Sequence, residues 1–344
     1  MATAAATPAR SRRLRRSKLD APGYARRRYG KGFVYRDAEG ERITDAETIA
    51  RITSLVIPPA WKDVWISPDP FGHIQATGID ARGRKQYLYH PRWRERRDQE
   101  KFDDMVAFAR SLPALRSVVE KDIALGDMSR EQVLACAARL LDRGFFRIGS
   151  EEYAVTNETY GLATMRKSHV TLDGETICFD YVAKESKRRV QAIVDPEVAE
   201  IVGTLKRRRS GGDELLAYRC EGGWCDVRSP DINAYLKAAT GRDISAKDFR
   251  TWGATVLAAV GLAVTQPGKL SPSGRKRAIQ RAVKEVAFYL GNTPTVARSS
   301  YIDPRIFDRY SDGQTIPLEL VGAEPDATAI QGRVEEAVLD LLEE

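Results

Sequence analysis

Apolar residues recur at helical spacing through most of the chain beyond about residue 100. They lie three and four positions apart, which is the pattern of helices with one buried face. The segment that follows Ser245 is apolar almost all round and is therefore expected in the core. Helices are predicted over residues 130–141, 195–208, 229–239, 245–262 and about 276–290.

Before residue 95 the pattern changes to short runs of extended character. Such runs occupy residues 64–67, 73–80 and 85–90, and the turn at Arg82-Gly83 favours a hairpin of the last two. One short helix, with Thr44 as its cap, precedes them. The predicted fold class is α+β, with a small, mostly-β N-terminal domain and a larger, mainly α-helical domain.

A β-hairpin is also predicted inside the helical part. Asp173-Gly174 is a typical hairpin turn, and residues 179–182 and 189–193 are expected to form the strands of a second hairpin. Lys184 lies at its tip. A lysine there is usually solvated, but it can also reach a neighbouring ligand, and both interpretations stay open.

The net charge of +7 conceals an uneven distribution. Residues 1–31 carry ten basic residues and one acid, whereas residues 312–344 carry nine acids and one arginine. A basic arm and body favour a polyanionic partner, most simply nucleic acid, although a solvated tail has the same composition. The predicted division is a flexible basic arm (1–23), a β-rich domain (24–95), a helical domain (100–311) and an acidic tail (312–344) with a small amphipathic surface helix.

Several classes of protein and site are disfavoured. No run approaches the ~20 apolar residues of a membrane span, and the basic N-terminal segment lacks the apolar part of a secretory signal. The four cysteines and three histidines show no metal-ligand spacing. We therefore expect no metal, no membrane association and a reducing, cytoplasmic compartment.

The strand at residues 85–90 is the first candidate binding surface. Arg84 and Lys85 precede Tyr87 and Tyr89, which share one face of the strand, while Gln86 lies on the other face. Basic residues beside aromatic ones suit a surface that contacts phosphates and base edges. The alternative is that both tyrosines pack against the helix, and the sequence does not decide.

Two segments place cations where an anion is needed. Arg147 is embedded in apolar chain and needs a partner, either the carboxylate of Glu151 or a phosphate. Lys247 and Arg250 share one face at the start of a helix, which is unfavourable unless an anion lies there. Local rules fail most often at functional sites, so both segments are candidates.

The segment LGNTPTVARSSYIDP contains the last candidates. Gly291 and Asn292 end one helix, Thr293 and a following proline begin the next, and Tyr301 lies where that short helix stops. A tyrosine with a buried ring and a solvated hydroxyl is the ordinary interpretation. Phosphodiester transfer is the other, because it requires fixed cations, an acid for the leaving oxygen and a nucleophile.

The ordered motifs GRKQYLYH, FFRIGSEEY, VAKE, KDFRTWGAT and LGNTPTVARSSYIDP together resemble the type IB DNA topoisomerases, of the compact kind found in poxviruses and bacteria. The resemblance covers roughly residues 30 to 310. It implies a C-shaped clamp on duplex DNA and a catalytic domain of the tyrosine recombinase/type IB topoisomerase kind. The implied catalytic residues are Arg147, Lys184, Lys247, Arg250, Asn292 and Tyr301, and the implied DNA contacts are Arg84, Lys85, Gln86, Tyr87 and Tyr89.

The resemblance also implies a role for each group. Arg147, Arg250 and Asn292 would bind the scissile phosphate, Lys184 would protonate the 5′-oxygen with help from Lys247, and Tyr301 would form a 3′-phosphotyrosyl intermediate. Many members have histidine in place of Asn292, and an amide donates a hydrogen bond but does not shuttle a proton.

Relaxation of either sign of supercoil would then need neither ATP nor metal nor another cofactor, and we expect a nucleoid-associated monomer. The alternatives are a tyrosine recombinase, which typically has His-x-x-Arg where this chain has Lys247-x-x-Arg250, and a non-catalytic DNA-compaction protein.

Overall fold

The computed structural model of the chain describes residues 13–321 and 327–344. The chain divides into two compact units, Met1–Lys101 (unit 1) and Phe102–Glu344 (unit 2). Unit 1 is a small sheet with one short helix, and unit 2 is mainly helical, so the α+β prediction is confirmed at this level. The boundary between the units falls inside a helix, where the sequence analysis placed a short connection.

Unit 1 is built on an antiparallel five-stranded sheet with the strand order β2-β1-β3-β4-β5. The helix α1 begins after Asp45, whose carboxylate accepts the Thr48 N–H at 2.7 Å, so the cap is one residue later than predicted. The elements are β1 (Tyr24–Tyr29), β2 (Gly32–Arg36), α1 (Ala46–Ser54), β3 (Lys62–Ile66), β4 (Ile74–Ile79) and β5 (Lys85–Tyr89).

The hairpin β1–β2 was not predicted because three consecutive arginines conceal its alternation. One of them, Arg26, belongs to the fold: its guanidinium lies 4.2 Å from the ring centroid of Phe33 and donates to three backbone carbonyls. Burial lowers the pKa of Arg26. A strand rich in arginine can therefore belong to a sheet when its guanidinium groups bind carbonyl and aromatic partners.

The prediction of a flexible arm over residues 1–23 is wrong for its second half. The N–H of Arg15 donates to the carbonyl of Phe71 at 2.9 Å, and the Ser17 hydroxyl bonds the backbone of Ile74. The Ser17 N–H also donates to Nδ1 of His73 at 2.8 Å. Residues 13–17 thus run along the sheet, whereas residues 1–12 lie outside the described residues.

Unit 2 is mainly helical and also contains a three-stranded antiparallel sheet and a two-stranded hairpin. No helix in residues 13–321 and 327–344 is long and apolar enough to cross a membrane. Helix α2 (Pro91–Ile123) carries the chain from unit 1 into unit 2. The remaining helices are α3 (Arg130–Gly144), α4 (Glu151–Asn157), α5 (Pro196–Arg207), α6 (Ser229–Thr240), α7 (Ala246–Ala263), α8 (Pro272–Leu290), α9 (Pro294–Ser300), α10 (Pro304–Ser311) and α11 (Ala327–Glu343). The strands are β6 (Val170–Asp173), β7 (Thr176–Ala183), β8 (Lys187–Val194), β9 (Ala217–Cys220) and β10 (Gly223–Asp226).

The C-terminal helix α11 is part of the core of unit 2, and in this respect the prediction of a surface helix in an acidic tail is wrong. Val338 is fully buried, and Leu341 and Leu342 are nearly so. Glu335, only 8% exposed, accepts hydrogen bonds from Trp252 Nε1 at 3.0 Å and from Arg116 at 2.6 Å. Although the segment is acidic, Glu335 is therefore a buried residue that joins α2, α7 and α11.

The cysteines of the β9–β10 hairpin form a disulfide between Cys220 and Cys225, which was not predicted from the sequence and is unusual for the reducing compartment expected there. The two residues are five positions apart and carry no zinc-type spacing, so only the antiparallel pairing of the strands brings them together. Cys136 is a buried free thiol in α3, and burial raises its pKa to about 12.

Replacing Glu335 tests the contribution of α11 to stability. Glu335→Ala should lower the free energy of unfolding by about 2 kcal/mol, because it leaves the buried Trp252 N–H without an acceptor and removes one of the two carboxylates around Arg116. Urea unfolding followed by tryptophan fluorescence measures the change. The exposed neighbour Glu336→Ala is the control, and equal effects of the two variants would contradict this role.

Candidate active site

Arg147 follows the end of α3 in a segment fixed by backbone contacts. The carbonyls of Arg147 and Ile148 accept the N–H groups of Leu162 and Ala163 at 2.8 and 2.7 Å. Gly149 and Gly161 approach so closely that a Cβ on Gly161 would lie 2.4 Å from the Gly149 nitrogen. This close approach requires glycine at both positions and holds Arg147 at the surface of the core.

Arg250 lies in the first turns of α7 and is only 4% exposed. Its guanidinium donates to the carbonyl of Phe145, just after α3, and to that of Leu290, at the end of α8, the latter at 2.9 Å. Burial, and then the charge of Arg147, lower the pKa of Arg250 to about 10. The guanidinium still carries its charge at neutral pH, and its buried Nε has no hydrogen-bond partner within the described residues.

Lys184 and Lys247 are both exposed and belong to different structural elements. Lys184 directly follows β7 at the tip of the β7–β8 hairpin, as predicted. Lys247 lies in the first turn of α7, where Ser245 is the cap and donates its N–H to Asp248 at 2.8 Å.

Asn292 is fixed by the way α8 ends. Gly291 adopts a left-handed conformation (φ 63°), and the Asn292 N–H donates back to the carbonyl of Ala287 at 3.0 Å. The Oδ1 atom of Asn292 accepts a hydrogen bond from Arg147, and its buried Nδ2 lacks a hydrogen-bond partner in the described part of the chain. The amide therefore keeps one donor available beside two arginines.

Tyr301 ends α9, which begins with Thr293 as its cap, as predicted. Its N–H donates to Ala297 at 3.0 Å. Two residues later, the N–H of Asp303 donates at 3.1 Å to the buried Thr255 hydroxyl on α7. Thr255 thus ties the chain that follows Tyr301 to the helix that carries Arg250.

These segments meet at a cavity of about 330 Å³. The centre of the Arg250 guanidinium lies 5.4 Å from the centroid of the Tyr301 ring. Five of the six predicted catalytic residues line the cavity, and the sixth, Asn292, is bonded to Arg147 at its edge. The five are Arg147, Lys184, Lys247, Arg250 and Tyr301.

The electrostatics of the cavity favour a phenolate. Burial opposes ionisation of Tyr301, but the positive charges of Arg250 and Arg147 outweigh it and lower the pKa of the phenol. The same cluster would favour any other anion that enters.

Glu151 and Glu185, which lie close to Arg147 and Lys184 in sequence, are engaged elsewhere. Glu151, the internal partner considered for Arg147, accepts the N–H of Ser229, and Glu185 pairs with Lys187 at 3.0 Å. Neither Arg147 nor Arg250 forms a salt bridge within the described chain, so the alternative of an internal Glu151 partner is wrong. Residues 13–321 and 327–344 contain no group of three or more histidine, cysteine or acidic residues that could hold a metal ion.

The side chains at the site that were not singled out from the sequence include one serine and two tyrosines. Ser150 and Tyr160 line the cavity, and Tyr181 on β7 lies near both arginines. Burial raises the pKa of Tyr181 in spite of these charges. Only Ser150 had a sequence signal, since it belongs to the FFRIGSEEY motif, whereas Tyr160 and Tyr181 reach the site through the fold.

The candidate binding strand of unit 1 is β5. Tyr87 and Tyr89 are each 39% exposed with stacked rings 6.2 Å apart, so their packing against the helix is not observed. The ammonium of Lys85 lies 5.9 Å from the Tyr87 ring. Gln86 and Arg84 both donate to the carboxylate of Asp80, Arg84 through Nε and Nη2 to the same oxygen, Oδ2. The strand thus presents two aromatic rings and a lysine, and its other two candidates are held by Asp80.

Comparison with known proteins matches both units. The family described as "Eukaryotic DNA topoisomerase I, catalytic core" matches residues 90–314, and the "Bacterial DNA topoisomerase IB, N-terminal domain" matches residues 32–80. The chain belongs to the type IB DNA topoisomerase family. Every residue of the proposed catalytic set lies within the first of these matches.

Three relatives illustrate how far the similarity extends. The DNA topoisomerase 1B of Acanthamoeba polyphaga mimivirus is 29% identical over 311 residues, which cover 88% of this chain and 92% of the relative. That of Vaccinia virus (strain Copenhagen) is 22% identical over 237 residues, 69% of this chain and 72% of the relative. DNA topoisomerase 1 of Daucus carota is 26% identical over 185 residues, 52% of this chain and 22% of the relative.

The lowered pKa of Tyr301 can be measured directly. In a spectrophotometric titration, the difference between the native chain and Tyr301→Phe should show one phenol that ionises below the ordinary pH of about 10. Arg250→Met should move that ionisation to higher pH, since it removes the closest positive charge. Arg281→Met, at an exposed position of α8, is the control, and an equal shift in both variants would contradict the local origin of the effect.

Proposed function

We propose that this family member relaxes supercoiled duplex DNA by cutting one strand, allowing it to swivel and resealing it through Tyr301. The observation that supports this proposal most strongly is the meeting of one phenol and four cations at a single cavity, where neither arginine forms a salt bridge with a carboxylate among the described residues. A scissile phosphate is the anion that such a cavity would accept.

In the cleavage step, the Tyr301 oxygen attacks phosphorus and its proton passes to water. The bond between phosphorus and the 5′-oxygen breaks as Lys184 donates a proton to that oxygen. The product is a 3′-phosphotyrosyl bond and a free 5′-hydroxyl. Lys184 suits the role of acid because it is exposed at a hairpin tip next to the cavity, and Lys247 is positioned to assist it.

Arg147, Arg250 and Asn292 would stabilise the charge that develops on the non-bridging oxygens. The buried Nε of Arg250 and the buried Nδ2 of Asn292 support this role, because unpaired buried donors are costly unless an acceptor arrives. Neither group needs to exchange a proton, so the amide at position 292 is sufficient.

Resealing reverses the same steps. The 5′-hydroxyl attacks the phosphorus of the phosphotyrosyl group, Lys184 takes back the proton, and the tyrosyl oxygen leaves. The positive surroundings that lower the pKa of Tyr301 also make it a better leaving group. The energy of the phosphodiester is kept in the covalent intermediate, so the cycle requires no ATP.

We extend the proposal to four further properties. The catalytic region of unit 2 is proposed to have the fold shared with tyrosine recombinases, and β5 of unit 1 to contact duplex DNA through Lys85, Tyr87 and Tyr89. The protein is proposed to act as a monomer, because one chain supplies every residue of the site, and to work in the cytoplasm on the nucleoid. The mimivirus relative is named as a DNA topoisomerase 1B, which supports DNA as the substrate here.

Removal of the Tyr301 hydroxyl tests the mechanism. Tyr301→Phe should abolish relaxation of both positive and negative supercoils while duplex binding stays within about twofold, since the ring and its cation contact remain. Plasmid relaxation in EDTA without ATP, with denaturant trapping of the covalent complex, provides the measurement. Relaxation by the variant, or a covalent complex without this hydroxyl, would exclude Tyr301 as the nucleophile.

The contribution of β5 to DNA binding can be measured from the salt dependence of the affinity for duplex DNA. Lys85→Ala should reduce the slope of log K against log salt by about 1, as expected for the loss of one phosphate contact. Arg84→Ala should change the slope less, because its guanidinium is bound to Asp80 at 2.8 Å. Fluorescence anisotropy with labelled duplex at several salt concentrations gives both slopes, and the reverse order would contradict the assignment.

A further inference from the structure

Arg189 on β8 makes a contact that the proposed chemistry does not use. Its Nη1 donates to the carbonyl of Phe288 at 2.8 Å, and its Nη2 donates to the carbonyl of Tyr289. Its side chain also lies over Gly291, where an added Cβ would come within 3.3 Å of the Arg189 Cδ. One side chain therefore joins the β7–β8 hairpin to the last turn of α8.

The end of α8 is where two other site residues are held. The carbonyl of Leu290 accepts Arg250, and the backbone of Asn292 is fixed by the left-handed turn at Gly291. The carbonyl end of a helix carries partial negative charge and attracts cations. Arg189 and Arg250 thus both donate to carbonyl groups at the end of α8, Arg250 from the buried side of the cavity and Arg189 from the β7–β8 hairpin.

The same hairpin carries Lys184 at its tip. Arg189 lies opposite Tyr181 in the β7–β8 register, and Lys187 lies opposite Ala183, the residue before Lys184. The tip itself is strained, since Glu185 and Ser186 both have positive φ angles (66° and 54°). A strained two-residue tip does not fix the lysine by itself, so its position depends on where the strands are anchored.

We infer that Arg189 is a positioning residue, which anchors the hairpin to α8 and thereby places Lys184 at the scissile bond. The inference rests on the proposed role of Lys184 as the acid. Gln191, two residues along the same face of β8, donates to the Gly144 carbonyl at 3.0 Å and fixes the strand farther from the tip. Arg189 is the anchor nearer to Lys184, and its planar fork can bond two adjacent carbonyls where a lysine would bond one.

The test compares two leaving groups. DNA with sulfur in place of the bridging 5′-oxygen, at a mapped cleavage site, releases a thiolate, whose conjugate acid has a pKa of about 8.5, and needs no proton from an acid. The variants are Arg189→Gln, Arg189→Lys and Lys184→Ala. Arg188→Gln is the matched control, because Arg188 is the adjacent exposed arginine and pairs with Asp180 on the opposite face of the strand. Single-turnover cleavage rates are measured on both substrates, and thermal melting verifies folding.

On the oxygen-linked substrate, we expect Arg189→Gln to slow cleavage by roughly 10- to 100-fold relative to Arg188→Gln, the size of effect that a misplacement of about 1 Å produces. Arg189→Lys should be intermediate. On the sulfur-linked substrate the deficit should fall to about twofold, since the displaced acid is no longer needed. Combining Arg189→Gln with Lys184→Ala should add little to Lys184→Ala alone, because both changes remove the same step.

Other results would overturn the inference. If the cleavage rate of Lys184→Ala recovers on the sulfur-linked substrate but that of Arg189→Gln does not, Arg189 does not act through Lys184, and the proposed function stands. If Lys184→Ala does not recover, Lys184 is not the acid, and the proposed role itself fails. Equal rates for Arg189→Gln and Arg188→Gln would show that the contact with α8 positions nothing. Should Arg189→Gln melt far below the native chain, Arg189→Lys, which keeps the charge and one hydrogen bond, decides between these results.

Discussion

The burial of the Arg250 guanidinium is the constraint on which the rest of unit 2 depends. A charge removed from water normally needs a carboxylate, but Arg250 is bonded to backbone carbonyls at the ends of two helices, α3 and α8. The partial negative charge of those helix ends stabilises the cation without neutralising it. The guanidinium therefore keeps its full attraction for an incoming phosphate, which an internal salt bridge would have reduced.

This arrangement explains why the site is assembled from distant segments. The end of α3 leads directly to Arg147, and the end of α8 leads directly to Asn292, so the two carbonyl groups that hold Arg250 also place its neighbours. Helix α7 then carries Thr255, which fixes the chain after Tyr301. Three segments, the ends of α3 and α8 and the chain after Tyr301, are thus positioned by hydrogen bonds to one helix, so the proposed nucleophile and the proposed anion-binding groups cannot move independently.

Three residues of the proposed catalytic set stand out in the sequence because they break a local rule, whereas Lys184, Asn292 and Tyr301 were indicated only by the resemblance to the family. Arg147 is a cation in apolar chain, and Lys247 and Arg250 lie at a positively polarised helix start. Sequence reasoning could not identify their partners, since carbonyl groups have no sequence signature and Glu151 was an equally plausible partner. The β1–β2 hairpin was missed because arginines replace the apolar residues of an alternating strand, and Glu335 was missed because a buried acid has the same letter as a solvated one. Contacts between distant segments, such as that of Arg189 with α8, follow from packing alone.

The burial of α11 has a consequence for how the C-terminal segment can vary among related proteins. The matched catalytic core ends at residue 314, so this helix lies beyond the part that defines the family, yet its Val338 and Glu335 occupy the interior beside α7. Selection would then act unevenly within one short helix. Its exposed positions can accept many polar substitutions. Its buried positions must change together with the residues that they contact on α2 and α7.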